Sequence, residues 1–189
     1  MSIAEVIRER RSIRDFKPDS IDEATVLSLL EDAVWAPFHS KNEPWRFIFV
    51  SKPGKERFIQ MVADSYLRMD QYKSMPPEQR SQLGAKLKAA FHAVPAFLLV
   101  IMKESESRKR WEEDFAATSA LIQNFMLLAW EQGVGTVWKT NPYIYDRLFC
   151  DNMCLQSDEK IVGVVQLGYP AELPEARERV SASQLFTVL

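Results

Sequence analysis

The sequence predicts an α+β fold in which a central mixed β-sheet is flanked by helices. Residues 94–102 form a continuous apolar run with β-branched residues, which is typical of a central strand buried on both faces. Residues 111–132 have helical spacing and are apolar over most of the circumference, so this helix must be enclosed on several sides. The length of 189 residues fits a single domain spanning 1–189.

The other elements follow from local signals taken in chain order. Ser2 can cap a short helix, and Asp22 can cap a second helix that Pro37 stops. Gly133 is expected to end the long helix at its C′ position. The remaining helices are expected at residues 54–70, 82–91 and 143–149, and the remaining strands at 45–50, 134–139 and 160–167. Residues 71–81 are mostly polar and contain two adjacent prolines, which predicts a loop or lid.

Composition and charge exclude several classes of protein. Hydrophobic residues make up 47% and charged residues 26% of the chain, which is typical of a globular protein and excludes a disordered chain. The 24 basic and 26 acidic residues leave a net charge of −2, which argues against general nucleic-acid binding. Residues 1–11 lack an apolar signal segment, and the longest apolar run, 93–102, is too short to cross a bilayer. We therefore expect a cytoplasmic protein without membrane attachment.

The two cysteines, Cys150 and Cys154, are too few for a disulfide framework. Their spacing would place both thiols on one helix face, where we expect two half-buried small residues. A zinc site would need two further ligands, and the two histidines, His39 and His92, lie far away in the sequence. No metal site is therefore expected.

The first candidate binding segment is the alternation of Arg10, Ser12 and Arg14. In an extended segment alternate side chains point the same way, so two guanidinium groups and a hydroxyl would form a socket for a phosphate. Arginine suits such a socket because it donates hydrogen bonds in a planar fork. The same residues could equally form a solvated basic helix end, where arginine suits the helix dipole.

Two further segments could contribute to a binding site. Residues 36–45 connect a helix to a strand and combine prolines with an aromatic residue, a histidine and an amide, although a rigid connector would have the same composition. Residues 133–140 contain a Gly-x-Gly, but its glycines end a helix and begin a strand, the reverse of a dinucleotide-binding fingerprint. These glycines could instead let the backbone approach a flat ring, beside the cation of Lys139 and the hydroxyl of Thr140. Because histidine is scarce and no nucleophile stands beside a base, a cofactor is expected to bring the reactivity.

Taken in order, five segments resemble the nitroreductase-like family of FMN flavoproteins. They are RRS at 10–12, APFH with PW at 36–45, RWEEDF at 110–115, GVGTVWKT at 133–140 and KIVGVVQLGYP at 160–170. The resemblance covers most of the chain and is strongest to the compact bacterial NAD(P)H nitroreductases. It implies a mixed α+β sandwich that forms an intertwined homodimer with FMN sites at the interface.

The same resemblance assigns residues to the FMN site. Arg10, Arg11 and Ser12 match the start that binds the phosphate and ribityl chain, and Arg14 would lie near the pyrimidine edge or the ribityl group. His39 would reach the flavin from the partner subunit. The segment beneath and beside the flavin matches Thr136, Val137, Trp138, Lys139 and Thr140.

Some positions depart from the pattern of the larger relatives or add to it. Phe38, Lys41 and Glu43 stand where those relatives carry Ser, Asn and Gln, which affects substrate preference more than flavin binding. Arg179 in the C-terminal tail is a further candidate for the phosphate.

The resemblance implies an FMN-dependent oxidoreductase that needs no side-chain acid or base. NAD(P)H and then a small electrophile, such as a nitroaromatic or a quinone, would occupy one open flavin face in a ping-pong cycle. Two alternatives stay open. A specialised flavin reaction, such as desaturation or reductive dehalogenation, would suit a lid at 71–81, and a non-catalytic flavin-binding dimer would suit the apolar helix at 111–132.

Overall fold

The computed structural model describes residues 1–39, 41 and 43–189; Ser40 and Asn42, in the candidate segment 36–45, lie outside the described residues. The strands are β1 (Trp45–Val50), β2 (Ala96–Lys103), β3 (Gly135–Lys139) and β4 (Glu159–Gly168). The α-helices are α1 (Ile3–Glu9), α2 (Glu23–Ala33), α3 (Lys52–Arg68), α4 (Asp70–Lys73), α5 (Pro77–His92), α6 (Arg108–Glu131) and α7 (Arg147–Asn152). Short 3₁₀ turns cover Pro142–Tyr145 and Ala182–Gln184. The α+β fold class is confirmed.

The strands form one sheet in the order β1-β2-β4-β3, and each of these neighbouring pairs is antiparallel. The parallel component is an isolated bridge between Ser12 and Thr136, on the outer edge of β3. The β2–β4 ladder is irregular, because Val100 pairs with Gly163 whereas the next residue, Ile101, pairs with Ile161. Val162 is therefore an extra residue, and β4 contains a β-bulge at this point.

The sheet is covered on both faces, which makes β2 a fully buried strand as its sequence predicts. Leu98 and Val100 join the cluster formed with α2 and α6. Leu99 and Ile101 point the other way, into the cluster formed with α3, α5 and α7. All four have no exposed surface, and each such side chain contributes roughly 1.5–3 kcal/mol of burial free energy.

The helix ends confirm the capping signals in the sequence. Ser2 and Glu5 form a capping box at α1, and the Asp22 carboxylate accepts the backbone N–H of Thr25 at 2.7 Å. After α6, Gly133 adopts a φ of 75°, which only glycine enters without strain. The N–H of Val134 then reaches back to the carbonyl of Ala129 at 2.8 Å, closing a Schellman-type end.

The predicted loop or lid at residues 71–81 is wrong. Helix α4 occupies the start of this segment, and α5 begins at Pro77. Proline is tolerated in the first turn of a helix because its missing N–H has no partner there in any case. Arg80 then donates to the backbone carbonyls of Tyr72 at 2.6 Å and Leu67 at 3.0 Å, which ties α5 to the end of α3.

The prediction that both cysteines share one helix face is also wrong. Helix α7 ends at Asn152, and Cys154 follows it with a φ of 59°, in the left-handed region. Cys150 is buried, and this burial raises the pKa of its thiol, whereas Cys154 is exposed. Among the described residues, none of the helices combines the length and the apolar character needed to cross a membrane.

Candidate functional site

The segment after α1 is extended and lies along the edge of the sheet, as the alternation of its arginines predicts. The backbone N–H of Ile13 donates to the carbonyl of Thr136 at 3.0 Å, and Ser12 bridges Thr136 in parallel. Ile13 is completely buried against Gly135, where an added Cβ would lie 2.7 Å from the Ile13 Cγ1 atom. Ile13 can therefore pack against the backbone because residue 135 is a glycine. Ile13 in turn fixes the position of the backbone that carries the arginines on either side of it.

These arginines line an open cavity of about 700 Å³. The C-terminal tail forms the other wall, because the N–H of Ala171 donates to the carbonyl of Asp15 at 2.9 Å and so returns the chain to the N-terminal segment. Residues of both charges line the cavity, with an excess of arginines. They are Arg8, Arg10, Arg11, Arg14, Arg177 and Arg179, against Asp15, Glu172 and Glu175.

Some guanidinium donors of this cavity have no partner. Within the described residues, the Nη1 atom of Arg10 and the Nε atom of Arg11 are buried and make no hydrogen bond. Burial and the neighbouring charges of Arg11 and Arg179 lower the pKa of Arg10. The positive charges of these arginines repel one another, and their buried N–H donors need an acceptor. An anion such as a phosphate would neutralise the charge and accept the hydrogen bonds.

The β3 segment adjoins this cavity through the bridge between Ser12 and Thr136, but residues 136–140 are not among those that line it. Thr136 and Val137 are buried, Trp138 and Lys139 are half-buried, and Thr140 is exposed. Burial and then the nearby charge of Arg14 lower the pKa of Lys139. The structure therefore brings the cation at the end of β3 towards the N-terminal segment, as a shared site requires.

His39 is exposed and is not among the residues that line the cavity of this protomer. Its neighbour Phe38 packs edge-on against Trp45, with ring centroids 5.6 Å apart. The Trp45 indole N–H donates to the carboxylate of Glu43 at 3.1 Å. The role predicted for His39, contact across a subunit interface, stays a prediction.

Sequence reasoning identified Arg179 in the tail but missed Arg8 and Arg177, which line the same cavity. One signal could have found Arg177. It lies two positions before Arg179, which is the spacing between Arg10 and Ser12 and between Ser12 and Arg14. The return of the tail to the N-terminal segment is a long-range contact, and local sequence patterns do not encode it.

Fold and site together define an α+β protein with an arginine-lined cavity at the edge of its sheet. Residues 7–169 match the model of the Nitroreductase family. The chain is also 40% identical over 186 residues to the Bacillus subtilis protein named "Putative NAD(P)H nitroreductase YfhC", covering 98% of this chain and 93% of that one. The chain belongs to the nitroreductase family.

Solved structures share the fold over the whole chain. A nitroreductase-like family protein from Bacillus cereus superposes with a TM-score of 0.88 at 35% identity, covering 100% of this chain and 96% of that one. A Desulfovibrio desulfuricans protein, described as "a putative nitroreductase in complex with fmn", gives a TM-score of 0.74 at 21% identity, with coverage of 100% and 98%. At that lower identity the likeness concerns the fold alone.

Proposed function

We propose that this chain is an FMN-dependent oxidoreductase that uses NAD(P)H to reduce small electrophiles such as nitroaromatics and quinones. The observation that carries the proposal is the pair of buried, unpartnered guanidinium donors on Arg10 and Arg11 in a cationic cavity beside β3. The FMN complex of the Desulfovibrio protein and the name of the Bacillus subtilis relative support the same assignment.

The residues present fit the phosphate end of FMN. A phosphate monoester carries about two negative charges and several strong acceptor oxygens. The unpartnered donors of Arg10 and Arg11, with the hydroxyl of Ser12, would hold that phosphate, and Arg179 adds a further positive charge beside Arg10. The cavity of about 700 Å³ is large enough to take a ribityl phosphate as well as ordered water.

The residues around β3 would hold the ring system. When bound, FMN supplies two-electron chemistry by accepting and donating a hydride. Arg14 lies close enough to Lys139 to lower its pKa, and the two cations together would favour reduction of a bound ring electrostatically. The remaining residues proposed to contact the ring lie along β3 and at its end: Thr136, Val137, Trp138 and Thr140. No side-chain acid or base is assigned. The hydride donor and the acceptor would use one open face of the ring in turn.

We further propose that the chain, as one FMN-binding domain over 1–189, forms a homodimer with the sites at its interface. Large apolar side chains are exposed in the single protomer, including Trp35 at 86% and Phe186 at 75%. The C-terminal residues 185–189 are apolar in pattern and all exposed. Exposed apolar surface of this extent marks an interface. A second copy would also bring its own His39 to the cofactor.

An absorbance spectrum of the purified protein tests the proposal. We expect a yellow protein, or a colourless one that stays yellow after FMN has been added and the free FMN removed by gel filtration, and bleaching by NADH or NADPH without air. A protein that is colourless after this treatment refutes the cofactor assignment. A bound flavin that neither nicotinamide reduces would instead indicate the non-catalytic dimer.

The specialised flavin reactions stay an alternative. The segment 71–81, which could serve as their lid, is mostly helical, because helices α4 and α5 occupy most of it. Turnover of a panel of nitroaromatics and quinones distinguishes a general oxidoreductase from an enzyme with a specialised flavin reaction. Good activity on several generic acceptors is the expected result.

A further inference from the structure

The bulge in β4 places a glycine on the α6 face of the sheet, which leaves room there for another side chain. Ile161 belongs to the cluster on the α3 face, whereas Val162 and Val165 belong to the cluster on the α6 face. Because Val162 is the extra residue, Gly163 also faces α6, between two valines on the same side. A glycine within a strand often marks a bulge at which another group approaches closely.

The group that approaches is the indole of Trp138. Trp138 pairs directly with Val165 across the β3–β4 ladder, so Gly163 is its diagonal neighbour, within reach of a large aromatic side chain. A Cβ atom built on Gly163 would lie 1.8 Å from the Trp138 Nε1 atom and 2.4 Å from its Cδ1 atom. The indole therefore lies directly against Gly163 of β4, and every side chain larger than hydrogen at position 163 would displace it.

Packing holds this indole in place, since hydrogen bonding does not. Its Nε1 atom is buried and has no acceptor among the residues that the structure describes. The side chain packs against the cluster on the α6 face. The space left by Gly163 thus determines where the Trp138 indole lies. In the sequence, Trp138 stands between Val137 and Lys139, in the proposed ring-binding segment.

We propose that Gly163 is a positioning residue of the cofactor site, which acts by seating Trp138 and with it the β3 segment. This inference rests on the proposed function. A side chain at position 163 must push the indole outwards or push β3 away from β4. The first movement changes the segment 136–140 at the Trp138 side chain, and the second moves its backbone; the outer edge of this segment also anchors Ser12 through Thr136.

The test compares Gly163→Ala with Gly54→Ala in the full chain. Gly54 is the matched control because a Cβ there would meet nothing within 4 Å among the described residues. Two quantities are measured: the dissociation constant for FMN, by fluorescence titration, and the ¹⁹F spectrum of protein labelled with 5-fluorotryptophan. The chain has five tryptophans, and the Trp138 signal is assigned by its loss in Trp138→Leu.

We expect Gly163→Ala to shift the Trp138 signal without cofactor and to weaken FMN binding by roughly tenfold, as overpacking of a tight site does. Gly54→Ala should change neither quantity. In the Trp138→Leu background the indole is gone, so Gly163→Ala should weaken binding less than about twofold. If Gly163→Ala alone fails to fold, recovery of folding in the double variant supports the same inference.

Other results overturn the inference and are distinguishable from failure of the proposed function. If the wild type takes up no FMN, the proposed function fails and this inference fails with it. If the wild type binds FMN but Gly163→Ala leaves its affinity unchanged, only the inference fails. It also fails if the loss of affinity persists undiminished without Trp138, or if the double variant does not fold, because the indole is then not the group displaced.

Discussion

Replacing Arg10 by methionine should affect the empty and the loaded protein in opposite directions. Methionine keeps most of the aliphatic stem and removes the guanidinium, so the change isolates the charge and its hydrogen bonds. Among the described residues the Arg10 Nη1 atom is buried without a partner, near Arg11 and Arg179. In the loaded protein the same donor would hold the phosphate.

The two effects can be sized separately. An unsatisfied buried donor costs about 1–3 kcal/mol, and the lower end applies because Arg10 is only partly buried. Relief of about 1 kcal/mol would raise the melting temperature of the empty protein by about 2–4 °C for a chain of this length. Loss of a hydrogen bond to a charged group removes about 1.5–3 kcal/mol of binding, or about 10- to 150-fold in the dissociation constant.

Thermal unfolding with and without FMN, together with a binding titration, measures both effects. Arg108→Met is the control, because Arg108 is a highly exposed arginine at the start of α6, paired with Glu112 at 2.7 Å. It should change the melting temperature by less than about 1 °C, since exposed pairs contribute little. The reasoning is refuted if Arg10→Met destabilises the empty protein, or if it leaves FMN affinity within twofold of the wild type.

Three further outcomes follow from the same structure. Gly135→Ala should displace Ile13, lower the stability of the protein by roughly 1–3 kcal/mol and weaken FMN binding; calorimetry and titration measure this, and wild-type values would contradict the close approach. Arg46 donates to Glu159 at 2.6 Å, and this hydrogen bond lowers the pKa of Glu159. The pair should therefore stabilise the fold by about 1 kcal/mol above the unfolded pKa of about 4.3 and lose that effect as the pH falls through the lower folded pKa. In urea unfolding, Glu159→Gln should accordingly be less stable than the wild type at neutral pH and equal to it at the most acidic pH, and a constant difference would contradict the assignment. Removing residues 185–189 should weaken the dimer measured by analytical ultracentrifugation, whereas an unchanged dimer would place the interface elsewhere.

Much of the fold could be predicted because its signals are local. The apolar run at 94–102 became β2 at Ala96–Lys103, and the helix expected at 111–132 became α6 at Arg108–Glu131. The observed boundaries differ from the expected ones by at most a few residues. The end of β2 and the start of α6 extend into charged residues, because charged side chains do not disturb backbone hydrogen bonds. Gly133 gave the end of α6 correctly, since its φ of 75° is a local requirement.

The failures occurred where a local signal has two structural outcomes. Two adjacent prolines at 76 and 77 predicted a break, and the break is real but short, because Pro77 begins α5 instead of ending a helix. The spacing of Cys150 and Cys154 predicted a shared helix face, but the helix ends between them.

The candidate site could be predicted in its charges but not in its walls. The alternation of Arg10, Ser12 and Arg14 is local, and their extended backbone follows from the bridge to Thr136. The opposite wall is the tail, which is distant in sequence and carries both charges. No pattern within either segment indicates that the two meet.

The glycines show most clearly what a sequence leaves undetermined. Gly135 is visible as a place where something can approach the backbone of β3, and a flat ring was the natural expectation. The structure places Ile13 there instead, and it places the indole of Trp138 over Gly163 on β4. Both glycines thus admit side chains of this chain, and those side chains fix the N-terminal arginines on one side and the β3 segment on the other. Because the proposed cofactor site is built between them, its geometry depends on two positions that need not touch the ligand. Substitutions there should weaken binding although every residue proposed to bind the ligand is retained.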